Sequence, residues 1–215
     1  SPILTSTVGA ELNKAGTGDG NGVAWGEQST AAGGNAVALG KDAKAEKNNG
    51  VAIGKGAQST EDSAIALGLG SKSSGNWSVA IGLQTNATNK QAVAVGSKSQ
   101  ATGVDSIAIG NAANASNESS VALGSSTQST NKYTTAVGGT AFANQEGATA
   151  LGYGARATAK NTIAIGNSAK AEQEGVLALG SASVAGGKDT IAIGNSAAAQ
   201  KEGDIIIGKD AKSRA

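Results

Sequence analysis

The sequence predicts an all-β parallel solenoid built from 14-residue coils, and three observations predict it. Glycine closes a short apolar motif at Gly26, Gly40, Gly54, Gly68, Gly82, Gly96, Gly110, Gly124, Gly138, Gly152, Gly166, Gly180, Gly194 and Gly208, a spacing of 14 kept without insertion or deletion. Around each of these glycines, large and small residues alternate with the period of two that marks strands. Aromatic residues make up 2% of the 215-residue chain and 33 residues are glycine. Such a composition cannot fill an ordinary globular core, but it suits coils that each stack on the next.

The first strand of each coil is the motif itself, as in "SVAIG" at Ser78–Gly82. A branched residue stands three before the glycine (Val79, Ile107, Ile163) and another large apolar residue one before it (Ile81, Leu123, Ile193). Alternate residues share a face of a strand, so these two columns are expected to point together into the coil. The second strand carries small residues three and five after the glycine, such as Ala43 and Ala45, Ala113 and Ala115, or Ala169 and Ala171. These are expected to close the interior from the other side. Turns rich in Gly, Asn and Ser join the two strands.

Two columns remain, and on this reading both face outward. The one between the small residues runs Thr30, Lys44, Gln58, Lys72, Asn86, Gln100, Asn114, Gln128, Phe142, Arg156, Lys170, as a wetted surface would. The one between the large residues is alanine in thirteen of fourteen coils, failing only at Ile206. A wetted column has no reason to refuse Lys or Gln. Ala80, Ala94, Ala108, Ala122, Ala164 and Ala192 are therefore expected to accept the close approach of another backbone, most simply that of a second copy of the chain.

Charge and residue chemistry exclude several functions. The 17 Lys and Arg balance 16 Asp and Glu, which gives no electrostatic case for nucleic acid or an anionic membrane. No apolar run has the length of a membrane span, and "SPILTSTVGAELNK" lacks the basic-then-apolar build of a signal peptide. With no His and no Cys, a Ser-His or Cys-His nucleophile pair is impossible, and the scattered carboxylates suggest no metal site or cofactor. The hexapeptide rhythm of solenoid acyltransferases does not divide 14. "GDIIIGKD" at Gly203–Asp210 comes near a phosphate-binding loop but places Asp210 where Ser or Thr is required. "GTGDGNG" at Gly16–Gly22 resembles a calcium-binding repeat only once, with one carboxylate. An ice-binding solenoid usually shows a Thr ladder, where the outward column here mixes Lys, Gln, Asn and Arg.

Several positions depart from the pattern. Thr135 and Thr149 replace the branched aliphatic and are expected to thin the interior, and Trp25 is expected to cap the open end. Residues 1–20 fall out of phase, and Ile3, Leu4, Val8 and Leu12 are expected to form a lid over the first coil. This divides the chain into a lid at 1–20, fourteen repeats at 21–212, and the start of a neck or stalk at 213–215. Exposed aromatics on a polar surface are natural contact anchors. Trp77 and Tyr133, both five before a closing glycine, and Phe142 in the wetted column are the candidates, flanked by Lys72, Arg156 and Lys170.

The units "NWSVAIGLQTNATN", "DSIAIGNAANASNE" and "NTIAIGNSAKAEQE" resemble the YadA-like head repeats of trimeric autotransporter adhesins, surface proteins of Gram-negative bacteria. The resemblance covers about Asn21 to Lys212. It implies a left-handed parallel β-roll assembled as a homotrimer on the bacterial cell surface, projecting from the outer membrane, with no membrane contact in this segment. It further implies attachment to host extracellular-matrix proteins (collagen, fibronectin or laminin) or to a host cell receptor. The alternative is a rigid spacer with no ligand of its own.

Overall fold

A computed structural model of the chain describes residues 21–214. The proposed lid and its Ile3, Leu4, Val8 and Leu12 lie outside the described residues. The rest is an all-β parallel solenoid of about thirteen turns, with no helix among the described residues. It divides into two units, Ser1–Lys98 and Ser99–Ala215. In the first, three-residue strands run from Val23–Trp25 to Val93–Val95 and two-residue strands from Thr30–Ala31 to Asn86–Ala87. In the second, the corresponding series run from Ile107–Ile109 to Ile205–Ile207 and from Gln100–Ala101 to Ala198–Ala199. Within each unit the longer strands form one parallel sheet and the shorter strands another.

The repeat fixes the register. Val79, Ala80 and Ile81 lie opposite Val93, Ala94 and Val95, and Ile107, Ala108 and Ile109 opposite Val121, Ala122 and Leu123. Every pairing advances by 14 residues, so each column of the sequence becomes a straight ladder. Hydrogen bonds continue through the turns, as in Val79 N to Ala92 O at 2.9 Å and Gly124 N to Ile109 O at 2.8 Å.

Each coil turns twice, and each turn needs one left-handed residue. One falls two after the closing glycine (Asp42 at φ 59°, Ser126 at 56°), the other five before it (Asn49 at 56°, Asn161 at 54°). Short polar residues and glycine tolerate that region best, which is why the turns read as they do. The closing glycine answers a different demand. Gly180 sits at φ +133°, and a Cβ there would lie 2.5 Å from the carbonyl oxygen of Gly194 in the next coil.

In the three-residue strands, the face that looks inward is the reverse of the expectation. Ala80, Ala94, Ala108, Ala122, Ala164 and Ala192 are all fully buried inside their own coils and offer nothing to a neighbouring chain. Their large neighbours point outward: Ile81 is 36% exposed, Ile109 42% and Ile163 39%. The reason is room. Four positions of each coil face the interior: the central alanine, the two small residues of the second strand, and the residue four before the glycine. That last column holds Ala36, Ala64, Ser78, Ser106, Thr134 and Ala148, all buried. The expectation for the second strand holds, with Ala43, Ala45, Ala113, Ala115, Ala169 and Ala171 fully buried.

Two sheets of such short strands leave space for methyl and hydroxyl groups only. The buried apolar clusters are accordingly alanine throughout, except for Val176 in the second unit. Interior hydroxyls find partners across the coil: Ser129 Oγ and Thr134 Oγ1 are 2.7 Å apart, and Ser59 Oγ donates to Ala64 O at 2.7 Å. Buried polar groups satisfied in this way cost little.

The same reversal corrects the reading of the irregular positions. Thr135 and Thr149 do not thin the interior, where Ala136 and Ala150 remain fully buried. They interrupt the outward apolar face instead. Trp25 is half-buried in that outward series, in register with Leu39. Ile206 takes the alanine position of the last strand and packs against the alanine cluster of the second unit.

Candidate functional site

Each unit presents three surfaces. The first is the outward side of the three-residue strands, two columns of Val, Ile and Leu on adjacent rungs. In the first unit it includes Val79, Ile81, Val93 and Val95, in the second Ile107, Ile109, Val121 and Leu123. Rungs lie about 4.8 Å apart and the two columns roughly 7 Å apart, so the eight strands of the second unit carry an apolar ribbon roughly 34 Å long, unbroken in the column one before the glycine and interrupted in the other at Thr135 and Thr149. Contiguous apolar surface of this extent marks a contact face on a folded protein. The sequence reading missed it because it compared only the two large columns with the alanine between them. The column four before the glycine, Gly, Ala, Ser or Thr except at Val176 and Asp204, was the available signal, since it shares a face with that alanine.

The second surface is the outward side of the two-residue strands, as expected. Lys44, Lys72, Arg156 and Lys170 are exposed there, and Gln58, Asn114, Gln128 and Phe142 half-buried. Neighbouring amides pair along the ladder, with Asn114 Nδ2 donating to Gln128 Oε1 at 3.0 Å. Three of the six proposed contact residues come together on adjacent strands: Phe142 lies opposite Arg156, and Arg156 opposite Lys170. The Arg156 guanidinium stands 4.7 Å from the Phe142 ring. Lys72 belongs to the first unit, between Gln58 and Asn86. It lines a surface groove of about 370 Å³ with Gly70, Gln84, Thr85 and Asn86, a feature that the sequence did not suggest.

The third surface is the turn preceding each three-residue strand, where Trp77 and Tyr133 project, both 54% exposed. The position just before theirs carries a pattern that the sequence reading overlooked. From Glu118 through Lys132, Glu146, Lys160, Glu174 and Lys188 to Glu202, acid and base alternate over seven successive coils. The structure pairs Lys132 with Glu118 at 3.0 Å, Lys160 with Glu146 at 3.8 Å and Lys188 with Glu202 at 3.6 Å. Hydrogen bonding and the charge of Glu118 hold the Lys132 ammonium above its ordinary pKa.

Stacked like charges 4.8 Å apart would repel by about 0.9 kcal/mol even in water, and alternation removes that cost. Lys160→Glu sets three carboxylates on adjacent rungs. At this exposure it should cost about 1 kcal/mol or less at low salt, and nearly nothing in about 1 M salt. Urea midpoints at the two ionic strengths check this.

Among the described residues, no three of His, Cys, Asp and Glu gather into a potential metal site, and no helix is long and apolar enough to cross a membrane. No curated protein matches the sequence. The family model for the YadA head domain repeat, two copies to the model, matches residues 21–43, 31–57, 45–71, 59–84, 73–99, 101–127, 129–155, 157–183, 177–197 and 185–205.

Proposed function

Because the chain belongs to the YadA head domain repeat family, we propose that it is the head of a trimeric autotransporter adhesin, which attaches a bacterium to host matrix proteins or a host cell receptor. The observation that carries this reading is the division of surfaces: one side of each unit is apolar ribbon, the other a polar ladder with unburied cations. In the proposed left-handed roll, three copies bring their ribbons together around a common axis and turn their ladders outward. This arrangement replaces the discarded alanine interface with Val, Ile and Leu, which bury far more apolar area per residue.

Collagen, fibronectin and laminin are the proposed partners. Such partners are extended and repetitive, and so is a ladder shown three times around an axis. Weak contacts then sum by avidity. The proposed role involves no catalysis and no cofactor; the chain has neither His nor Cys. The proposed location is the cell surface, outward of the outer membrane.

Solid-phase binding of the assembled chain to collagen, fibronectin, laminin and cultured host cells tests the reading. Saturable binding that weakens stepwise as coils are deleted is the expected result. A folded trimer that binds none of them overturns the adhesive role and leaves a spacer.

A further inference from the structure

The turn series that contains Trp77 and Tyr133 is left-handed in every coil after the first. In the first unit its other members are Asn35, Asn49, Ser63 and Gln91; in the second, Asp105, Ser119, Gly147, Asn161, Gly175, Asp189 and Gly203. Asn, Asp and Gly among these tolerate positive φ best, whereas Trp77 at φ 58° and Tyr133 at φ 57° are bulky residues for which it is unfavourable, as it is for Gln91 in this series and for Lys98 and Thr140 in the companion turn. Neither aromatic is held there by the interior, since both are half-exposed. Strain kept at the surface with no return from core packing points to a contact outside the chain.

The surroundings indicate which kind of contact. Trp77 donates its backbone N–H to Asp62 O at 3.0 Å, and Gln91 donates to Asn76 O at 2.9 Å, so the turns of the preceding and following coils flank the indole. They bring Asp62, Ser63, Lys90 and Gln91, all hydrogen-bonding side chains, and the Lys90 ammonium lies over the ring, 5.4 Å from its centre. Around Tyr133 the flanking turns bring Glu118, Ser119 and Glu146. The phenol oxygen lies 3.5 Å from Glu118 Oε1, and Lys132 beside it pairs with Glu118.

A protein hot spot sets its aromatic among apolar neighbours that exclude water. These two rings instead rise singly from polar surroundings on a convex turn. A flat π-face ringed by carboxylate, amide, hydroxyl and ammonium groups matches a pyranose, which offers one C–H face to stack and a rim of hydroxyls to hydrogen-bond. We propose that Trp77 and Tyr133 are each a stacking platform for a neutral hexose or N-acetylhexosamine unit of host glycans. The proposal rests on the adhesive reading and narrows its ligand, at these two turns, to the glycan rather than the polypeptide.

Asparagine is the informative replacement, because Asn35, Asn49 and Asn161 already occupy the same turn position. Trp77→Asn and Tyr133→Asn should leave assembly intact and melting unchanged or higher, which a structural role would not allow. With Trp25→Phe as background, Trp77 is the chain's single indole, and its fluorescence is titrated with N,N′,N″-triacetylchitotriose, with lactose and with a heparin hexasaccharide. The expected result is saturable change with a neutral sugar at a dissociation constant on the order of 1 mM. Saturation-transfer NMR on the parent and the two Asn variants should show binding weakened by about tenfold or more, the loss typical of a deleted stacking ring.

Response to heparin alone, no response to either neutral sugar, or loss of the trimer in Trp77→Asn overturns the proposal. A second readout compares adhesion to native and enzymatically deglycosylated fibronectin. Equal adhesion to both also overturns it while sparing the adhesive role. Sugar binding without any matrix or cell adhesion keeps the platform and removes the adhesive role.

Discussion

Gly180→Ala should destabilise the second unit by about 3 kcal/mol or more, the sum of two separate costs. Its φ of +133° lies outside the region that alanine adopts readily, and holding a non-glycine residue in such backbone costs about 1–3 kcal/mol. The added methyl would also lie 2.5 Å from Gly194 O and 2.6 Å from Gly194 C, so the coils must part at that edge and stretch the hydrogen bond of Gly194 N to Leu179 O, now 2.8 Å. Gly175 separates the two contributions. It is left-handed at φ +70°, but a Cβ there meets nothing within 4 Å, so Gly175→Ala should cost only about 1 kcal/mol. Denaturant unfolding of the two variants side by side measures the difference. Equal midpoints would mean that the glycine ladder serves backbone conformation alone and that the coils yield to a methyl group.

That ladder also explains why the fold could be read from the sequence in such detail. Only glycine satisfies φ and contact together at this position, so the period of 14 is written in one residue type and survives any variation elsewhere. The two-residue strands were legible for a related reason: small residues at Ala113 and Ala115 flank Asn114, and a polar residue between two small ones has one sensible orientation. The three-residue strands lacked that asymmetry. Val79, Ala80 and Ile81 alternate, and alternation alone does not say which side is inside. The usual weighting puts the large apolar residues in the core, and here it misleads because the space between the sheets is set by backbone spacing and is filled by Ala, Ser and Thr, with Val176 the largest buried side chain.

The candidate contact residues divide along the same line. Phe142, Arg156 and Lys170 are neighbours because their column is a ladder, which the period of 14 already implies. The left-handed backbone of Trp77 and Tyr133 was not visible, because turn conformation follows from the coil and not from the aromatic residue itself.

Replacing Ile109 and Ile163 together by lysine should abolish self-assembly while each chain stays folded. Both side chains lie on the outward ribbon of the second unit, 42% and 39% exposed, and neither belongs to the alanine clusters that fill the coils. In the proposed trimer each protomer loses two buried aliphatics, six in all, at roughly 1–2 kcal/mol each. The sum is on the order of 10 kcal/mol per trimer, before the cost of six ammonium groups brought together at the axis. An assembly of nanomolar strength cannot absorb that. Sedimentation should then report a single-chain mass, while far-ultraviolet circular dichroism keeps its β signature. Ala122→Leu is the contrasting change: fully buried between the sheets, it overfills a space made for a methyl group and should unfold the unit by about 1–3 kcal/mol or more, with loss of trimer only as a consequence. Should the double lysine variant still sediment as a trimer, the ribbon is not the protomer interface, and a chain that is monomeric before any substitution would remove the proposed assembly altogether.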